Sequence, residues 1–350
     1  VGAIGAASLT RGGRDDVRRV VLFDAPISPA MLEQLSTHSG RAIHHRLVHE
    51  LTVARHHHQR DRGRLRERVY LGSSRQEYLR FLDATLEEEG IRADQAHVIL
   101  YPFNPIGMEL LQHLRPRATL VDVVDDERTW PGRSAAQQQA MEEGYRRLLG
   151  AADQVWANCP EMQAAMAPLH ARVDLVPNGV DLTPPRDAPG HDPDFQEVLR
   201  WPGAVMGYIG NLDHKLDITL LETLASAFPQ ALLVLLGSRH SSPQVERLAR
   251  HANVRLPGVI PYAQLGAWVR RFDVGLVPHL DNPMTRHMHP LKQYVYLTHG
   301  VPCVSTAVRN VTRLPGSIEV VGSHAEFVRA IGQRLEARRG GAIGSAPVLP

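Results

Sequence analysis

Residues 282–305 read Asn-Pro-Met-Thr-Arg-His-Met-His-Pro-Leu-Lys-Gln-Tyr-Val-Tyr-Leu-Thr-His-Gly-Val-Pro-Cys-Val-Ser. The first half gathers Arg286, His287, His289 and Lys292 around Pro290. The second half spaces Leu291, Tyr294, Val295 and Leu297 as a helix does and stops at Gly300, and residues 301–304 read as a short buried strand. Pro290 suits the first helical turn, where no backbone donor is lost. The stretch therefore predicts a loop, a helix with cations clustered at its start, and a strand. Cations at a helix N-terminus suit an anion, phosphate above all. An ordinary helix with a solvated basic cap gives the same string, so the neighbouring sequence has to decide.

Going back from residue 282, the alternation is regular. Strands are predicted at 204–209, 231–236, 254–256 and 274–277, with helices at 217–227, 243–251 and 263–272 between them. One more helix is predicted at 325–338. Short apolar strands alternating with amphipathic helices imply a parallel sheet covered on both faces. Residues 181–203 hold several prolines and aspartates and read as a linker. Before it the same rhythm runs through strands at 69–71, 97–101, 119–124, 154–158 and 173–176, with helices at 74–90, 106–114, 134–149 and 161–169. A first strand at 19–23 ends at Asp24, and helices are predicted at 29–38 and 43–54.

The expected fold class is α/β: two Rossmann-like, doubly wound domains facing a cleft. The domains are an N-terminal one at 1–180 and a C-terminal one at 204–338, joined by the 181–203 linker and followed by a disordered tail at 339–350. Ligands of such sheets sit beyond the carboxyl ends of the strands. That rule gathers Asp24, Asp125, Gly210, Gly237, Pro278 and the opening stretch.

Composition narrows the function. The chain has 350 residues and a formal net charge of only +2, which argues against a nucleic-acid binder. Its 2 cysteines, Cys159 and Cys303, lack metal-type spacing and suggest a reducing compartment. No apolar run reaches the ~18 residues of a membrane span, and no signal peptide is visible at 1–22. The expectation is a soluble, cytoplasmic protein. Residues 55–68 are rich in arginine, with His56, His57 and His58 in a row. They read as a solvated helix or loop, or as a surface for an anionic acceptor or for peripheral contact with lipid headgroups.

The ordered set of motifs resembles the retaining glycosyltransferases of the GT-B fold, of the family 4 type. The segments are 176–181 (Val-Pro-Asn-Gly-Val-Asp), 207–212 (Gly-Tyr-Ile-Gly-Asn-Leu), 232–237 with 253–258, 272–278, and 290–304. In the first half, 121–126 and 155–158 are similar to that family's acceptor-domain strand ends. The resemblance implies a nucleotide diphosphate sugar as donor substrate, a small-molecule or glycan acceptor bearing a hydroxyl, and no further cofactor or metal.

The residue chemistry agrees with this. A diphosphate needs close backbone donors and cations, which Gly210, Asn211 and Gly237, with Lys215, Arg286 and Lys292, supply. Lys292 is the leading candidate to stabilise the leaving group, with a surface lysine as the plain reading. Gly258 and Val259 would receive the base through backbone atoms, or Gly258 is a turn. Leu291 and His289 complete the donor segment. Asp125 or Asp126 could orient or deprotonate the acceptor, or cap the segment after Asp126.

The resemblance also has gaps. The family's pair of donor-segment glutamates falls here on His287 and Val295. Valine accepts no ribose hydrogen bond, at a cost of about 1.5–3 kcal/mol if nothing compensates. His287 can still meet a sugar hydroxyl, and so can His289 or Arg286. Two alternatives stay open: a GT-B scaffold that has lost catalysis and serves as a partner or regulatory subunit, and a nucleotide-sugar epimerase on the same scaffold.

Overall fold

The computed structural model describes residues 19–23, 41–48, 58–62, 65–71, 75–88, 90–102, 106–180, 189–238 and 243–339. It divides into two units, Val1–Asn178 and Gly179–Pro350.

The first unit is built on an eight-stranded sheet. Its strands are β1 (Arg19–Phe23), β2 (Arg41–Val48), β3 (His58–Arg62), β4 (Leu65–Leu71), β5 (Ala96–Leu100), β6 (Ala118–Val123), β7 (Gln154–Ala157) and β8 (Val173–Leu175), in the order β3-β4-β2-β1-β5-β6-β7-β8. All neighbours are parallel except β3 and β4. The alternate residues of β5, β6 and β7, among them Leu100, Val121 and Val155, bury one face against Leu82, Leu110 and Tyr145 of the covering helices. Gly90, at φ 61°, closes the helix Arg75–Glu88, as its position after the apolar run predicts.

Two expectations fail in this unit. The helix read at 43–54 is in its described part strand β2. Ile43, Leu47 and Leu51 do recur at helical spacing, but β2 pairs in register with both β1 and β4, and two ladders outweigh local periodicity. The arginine-rich run is likewise neither helix nor loop where it is described. It forms antiparallel β3 and the start of β4, which place Arg60 opposite Glu67 and Asp61 opposite Arg66. β3 is the edge strand of this sheet. Asp24, the helix read at 29–38, His56 and His57, and the tail from 340 onward lie outside the described residues.

The second unit has a six-stranded, all-parallel sheet. Its strands are β9 (Val205–Ile209), β10 (Leu232–Leu236), β11 (Val254–Gly258), β12 (Val274–Val277), β13 (Cys303–Thr306) and β14 (Ile318–Val321), ordered β11-β10-β9-β12-β13-β14. The order in which the chain adds strands reverses between β9 and β12, the switch point where doubly wound sheets open a crevice. β9 and β10 are buried along their whole length, which is why they read as unbroken apolar runs.

The stretch read as a linker contains a helix, Pro193–Arg200. Asp192 caps it by accepting from the Phe195 amide at 3.0 Å, and Pro193 opens it. Phe195 packs on Trp268 with ring centroids 5.0 Å apart. Aspartate and proline here start a helix rather than a loop.

Candidate functional site

The site lies at the carboxyl edge of the second sheet, in loops that backbone hydrogen bonds lace together. After β9 the Gly210 amide donates to Leu236 and the Leu212 amide to Ser238; after β10 the Gly237 amide donates to Gly258. The loop after β9 joins the loop after β12 through Asp217 N to Pro278 O at 2.9 Å and Leu280 N to Lys215 O at 2.8 Å. Gly210 and Gly237 sit at φ 125° and 150°, and a Cβ on Gly237 would run into the Gly210 carbonyl. Glycine is required at Gly237 because two backbones touch there.

Lys292 opens helix Lys292–Thr298, whose depth is set by Tyr296 one turn further on. The fully buried Tyr296 hydroxyl receives the Ile209 amide (3.1 Å) and lies 3.1 Å from the Leu276 carbonyl. Residues four apart share a helix face, so anchoring Tyr296 aims Lys292 at the sheet edge. A Cβ built on Gly210 would lie 3.5 Å from Lys292 Cε and 3.7 Å from Nζ. The Lys292 ammonium also lies 5.0 Å from the centre of the Tyr208 ring and 3.2 Å from His279 Nε2. The helix starts later than the sequence suggested: Leu291 is its cap, and Pro290 precedes it. A short turn of helix, Pro283–Arg286, occupies part of the segment read as loop, held by the Asn282–Thr285 capping box.

The other expected residues fare unequally. Lys215 stands near this group, but its ammonium is 3.0 Å from the Asp213 carboxylate, with both side chains nearly buried. Its charge is therefore partly spent within the fold. Arg286 pairs with Asp281 at 2.9 Å in solvent. His287 Nδ1 donates to the Pro283 carbonyl at 3.0 Å, which makes Nε2 the acceptor in the neutral ring. His289 meets the Tyr294 hydroxyl at 3.0 Å, and burial lowers its pKa. Asn211 is exposed beside Gly210, Leu291 is half-buried, and Val259 after Gly258 is 72% exposed. Val295 packs with the apolar cluster of the second unit and lines a small hollow with Tyr262, Leu265 and Thr298.

The sequence reading missed Tyr208 and His279. The only signal was position: Tyr208 precedes the glycine loop by two residues, and His279 is the polar residue that follows Pro278 at a strand end. His279 is 3% exposed. Burial, then Lys292, then Lys215 hold its pKa well below the usual imidazole range, so it is neutral.

In the first unit the two aspartates after β6 part company. Asp126 is buried and grips Arg128 through both oxygens, at 2.8 Å each, while capping the following turn. The capping alternative is the one realised, and this carboxylate is occupied. Asp125 is half-buried, and its carbonyl lies 3.4 Å from the Tyr145 hydroxyl. Among the described residues no group of three His, Cys, Asp or Glu side chains could hold a metal ion, and no helix is long and apolar enough to cross a membrane.

No family model matches the chain. It is 26% identical over 145 residues to a putative teichuronic acid biosynthesis glycosyltransferase, TuaH, of Bacillus subtilis. That match takes in 41% of this chain and only 36% of the curated relative. Among solved structures, sucrose-phosphate synthase from Thermosynechococcus elongatus aligns with a TM-score of 0.68 at 15% identity, over 93% of this chain and 91% of that one. HepE from Anabaena in complex with UDP-glucose aligns at 0.64 and 15% identity, over 93% and 91%. A trehalose-phosphate synthase from Burkholderia vietnamiensis aligns at 0.55 and 13% identity, over 93% and 94%. These likenesses, with a doubly wound sheet in each unit, establish the GT-B fold for this chain.

Proposed function

We propose that the protein is a retaining glycosyltransferase that moves a sugar from a nucleoside diphosphate sugar to a hydroxyl of its acceptor. The observation that carries this is Lys292 held against the Gly210 loop at the sheet's switch point. Transfer breaks the bond between the anomeric carbon and the diphosphate, and negative charge builds on the departing oxygen. A fixed ammonium within reach of that oxygen lowers the barrier, because the charge meets a cation already in place. The acceptor oxygen takes over the anomeric carbon on the same face, and its proton leaves with the diphosphate.

In this reading the Gly210, Asn211 and Gly237 backbone lies along the diphosphate, and Gly258–Val259 takes the base. His287 Nε2 accepts from a sugar hydroxyl, and Asp125 orients the acceptor. Lys215 contributes less than Lys292, since Asp213 already offsets it. The similar proteins support the class: one is named a glycosyltransferase, and HepE has been solved with UDP and with UDP-glucose. Uridine is accordingly the first base to test, and a sugar the first acceptor class.

The test is calorimetric titration of the protein and of Lys292→Ala with UDP, GDP, ADP and dTDP, followed by product analysis with the matching nucleotide sugar. One nucleotide should bind selectively, and Lys292→Ala should weaken it tenfold to a hundredfold, about 1.4–2.7 kcal/mol. Absence of binding by all four would sink the proposal and favour the scaffold that has lost catalysis.

A further inference from the structure

We infer that His279 is a positioning residue for Lys292: its Nε2 accepts a hydrogen bond from the ammonium and holds that charge against the Gly210 loop. The inference rests on the donor-site reading above and adds a residue to it.

The geometry leaves little choice of roles. An ammonium only donates, so at 3.2 Å the facing Nε2 is the acceptor and the ring proton sits on Nδ1. Tyr208 Oη, 3.5 Å from Nε2, lies 3.2 Å from the Asn211 carbonyl and donates its proton there. Lys292 is therefore the donor that His279 serves. The backbone that carries the ring is fixed. Thr306 Oγ1 receives the His279 amide at 3.2 Å and donates to the His279 carbonyl at 2.6 Å, which clamps the residue from β13. The Tyr208 ring supports the ammonium from another side.

The burial is unfavourable for packing alone. Nδ1 has no partner among the described residues, so this side chain leaves a buried N–H unsatisfied where an apolar residue would leave none. A purely structural position would not favour such a group. Holding a cation beside a buried side chain without offsetting it needs an uncharged acceptor, and a carboxylate there would cancel the charge meant for the ligand. A neutral imidazole meets both demands.

Three substitutions separate this role from simple packing. In His279→Gln the Oε1 atom reaches the place of Nε2; in His279→Asn the Oδ1 atom reaches the place of Nδ1; His279→Met fills the space without an acceptor. Inorganic pyrophosphate and UDP are titrated calorimetrically against each, with thermal denaturation alongside. His279→Met and His279→Asn should weaken both ligands at least fivefold, and His279→Gln should stay within about twofold of the parent. In combination with Lys292→Ala, His279→Met should add little, because both remove the same held charge.

Parent-like binding by His279→Met, or losses that multiply in the double variant, would overturn the inference and leave the donor site standing. A parent that binds neither pyrophosphate nor any nucleotide would overturn both.

Discussion

The two units end their sheets in opposite chemistry. In the second, the strand-end loops bring Lys292, Lys215 and a neutral imidazole together beside two glycines. In the first, the described strand ends carry carboxylates: Asp122 on β6, Asp125 and Asp126. Burial pushes the Asp122 carboxyl up to about 7, while Asp126 is tied to Arg128. The same doubly wound plan thus yields a cation-lined edge in one unit and an acid-lined edge in the other. The architecture supplies a crevice, and the side chains after each strand decide what it can hold. Asp126 and Lys292 make the contrast specific, for each is a charged residue at a strand-end loop. Asp126 meets a guanidinium in full bidentate geometry and is consumed by the fold. Lys292 meets a neutral ring at 3.2 Å.

The largest effect should come from breaking the occupied side of this contrast. Asp126→Ala leaves Arg128, whose side chain is only 12% exposed, with Glu142 at 3.3 Å as its remaining ion-pair partner, and should cost about 3 kcal/mol of stability in denaturant unfolding. A variant as stable as the parent would mean that the Asp126 carboxylate is available for chemistry after all.

The acid–base balance should differ in sign between the units. His279 has a lowered pKa in the folded state, so below about 6.5 the unfolded chain binds the proton more readily and stability falls as the pH falls. Asp122 has a raised pKa, so the folded state is the better proton binder between about 3.9 and 7, and stability falls as the pH rises through that window. Unfolding measured from pH 4 to 8 should show Asp122→Asn removing the second slope and His279→Gln the first. Slopes of the same sign in both variants would contradict the contrast.

The smallest effect is expected at Arg286. Its ion pair with Asp281 is about half exposed on both sides, so Arg286→Ala should change stability by less than about 1 kcal/mol. Nucleotide affinity should move by no more than about threefold. A loss as deep as that of Lys292→Ala would return Arg286 to the anion site.

Much of the fold was legible because burial leaves its period in the chain. The unbroken apolar strand 274–277 coincides with β12, and Gly90 and Asp217 mark helix ends where their types predict. The failures have physical causes. Residues 43–48 satisfy a helical spacing, and only pairing with strands on both sides makes them β2. Residues 192–200 have loop-like composition, yet Asp192 caps and Phe195 anchors a helix once Trp268 is there to receive it.

By itself, the sequence determined the two αβ alternations, the glycines that let backbones meet after β9 and β10, and the cationic character of 286–292. Each follows from a residue and its near neighbours. Which of those charges pair within the fold was decided by tertiary structure alone. Asp213 stands two residues from Lys215, and Asp281 five residues from Arg286, but whether they pair depends on loops folding back. His279 reaches Lys292 across 13 residues only because β12 and the helix after it lie side by side. Spacing along the chain carries no such information, because this hydrogen bond is fixed by where a strand's end and a helix's start meet in space.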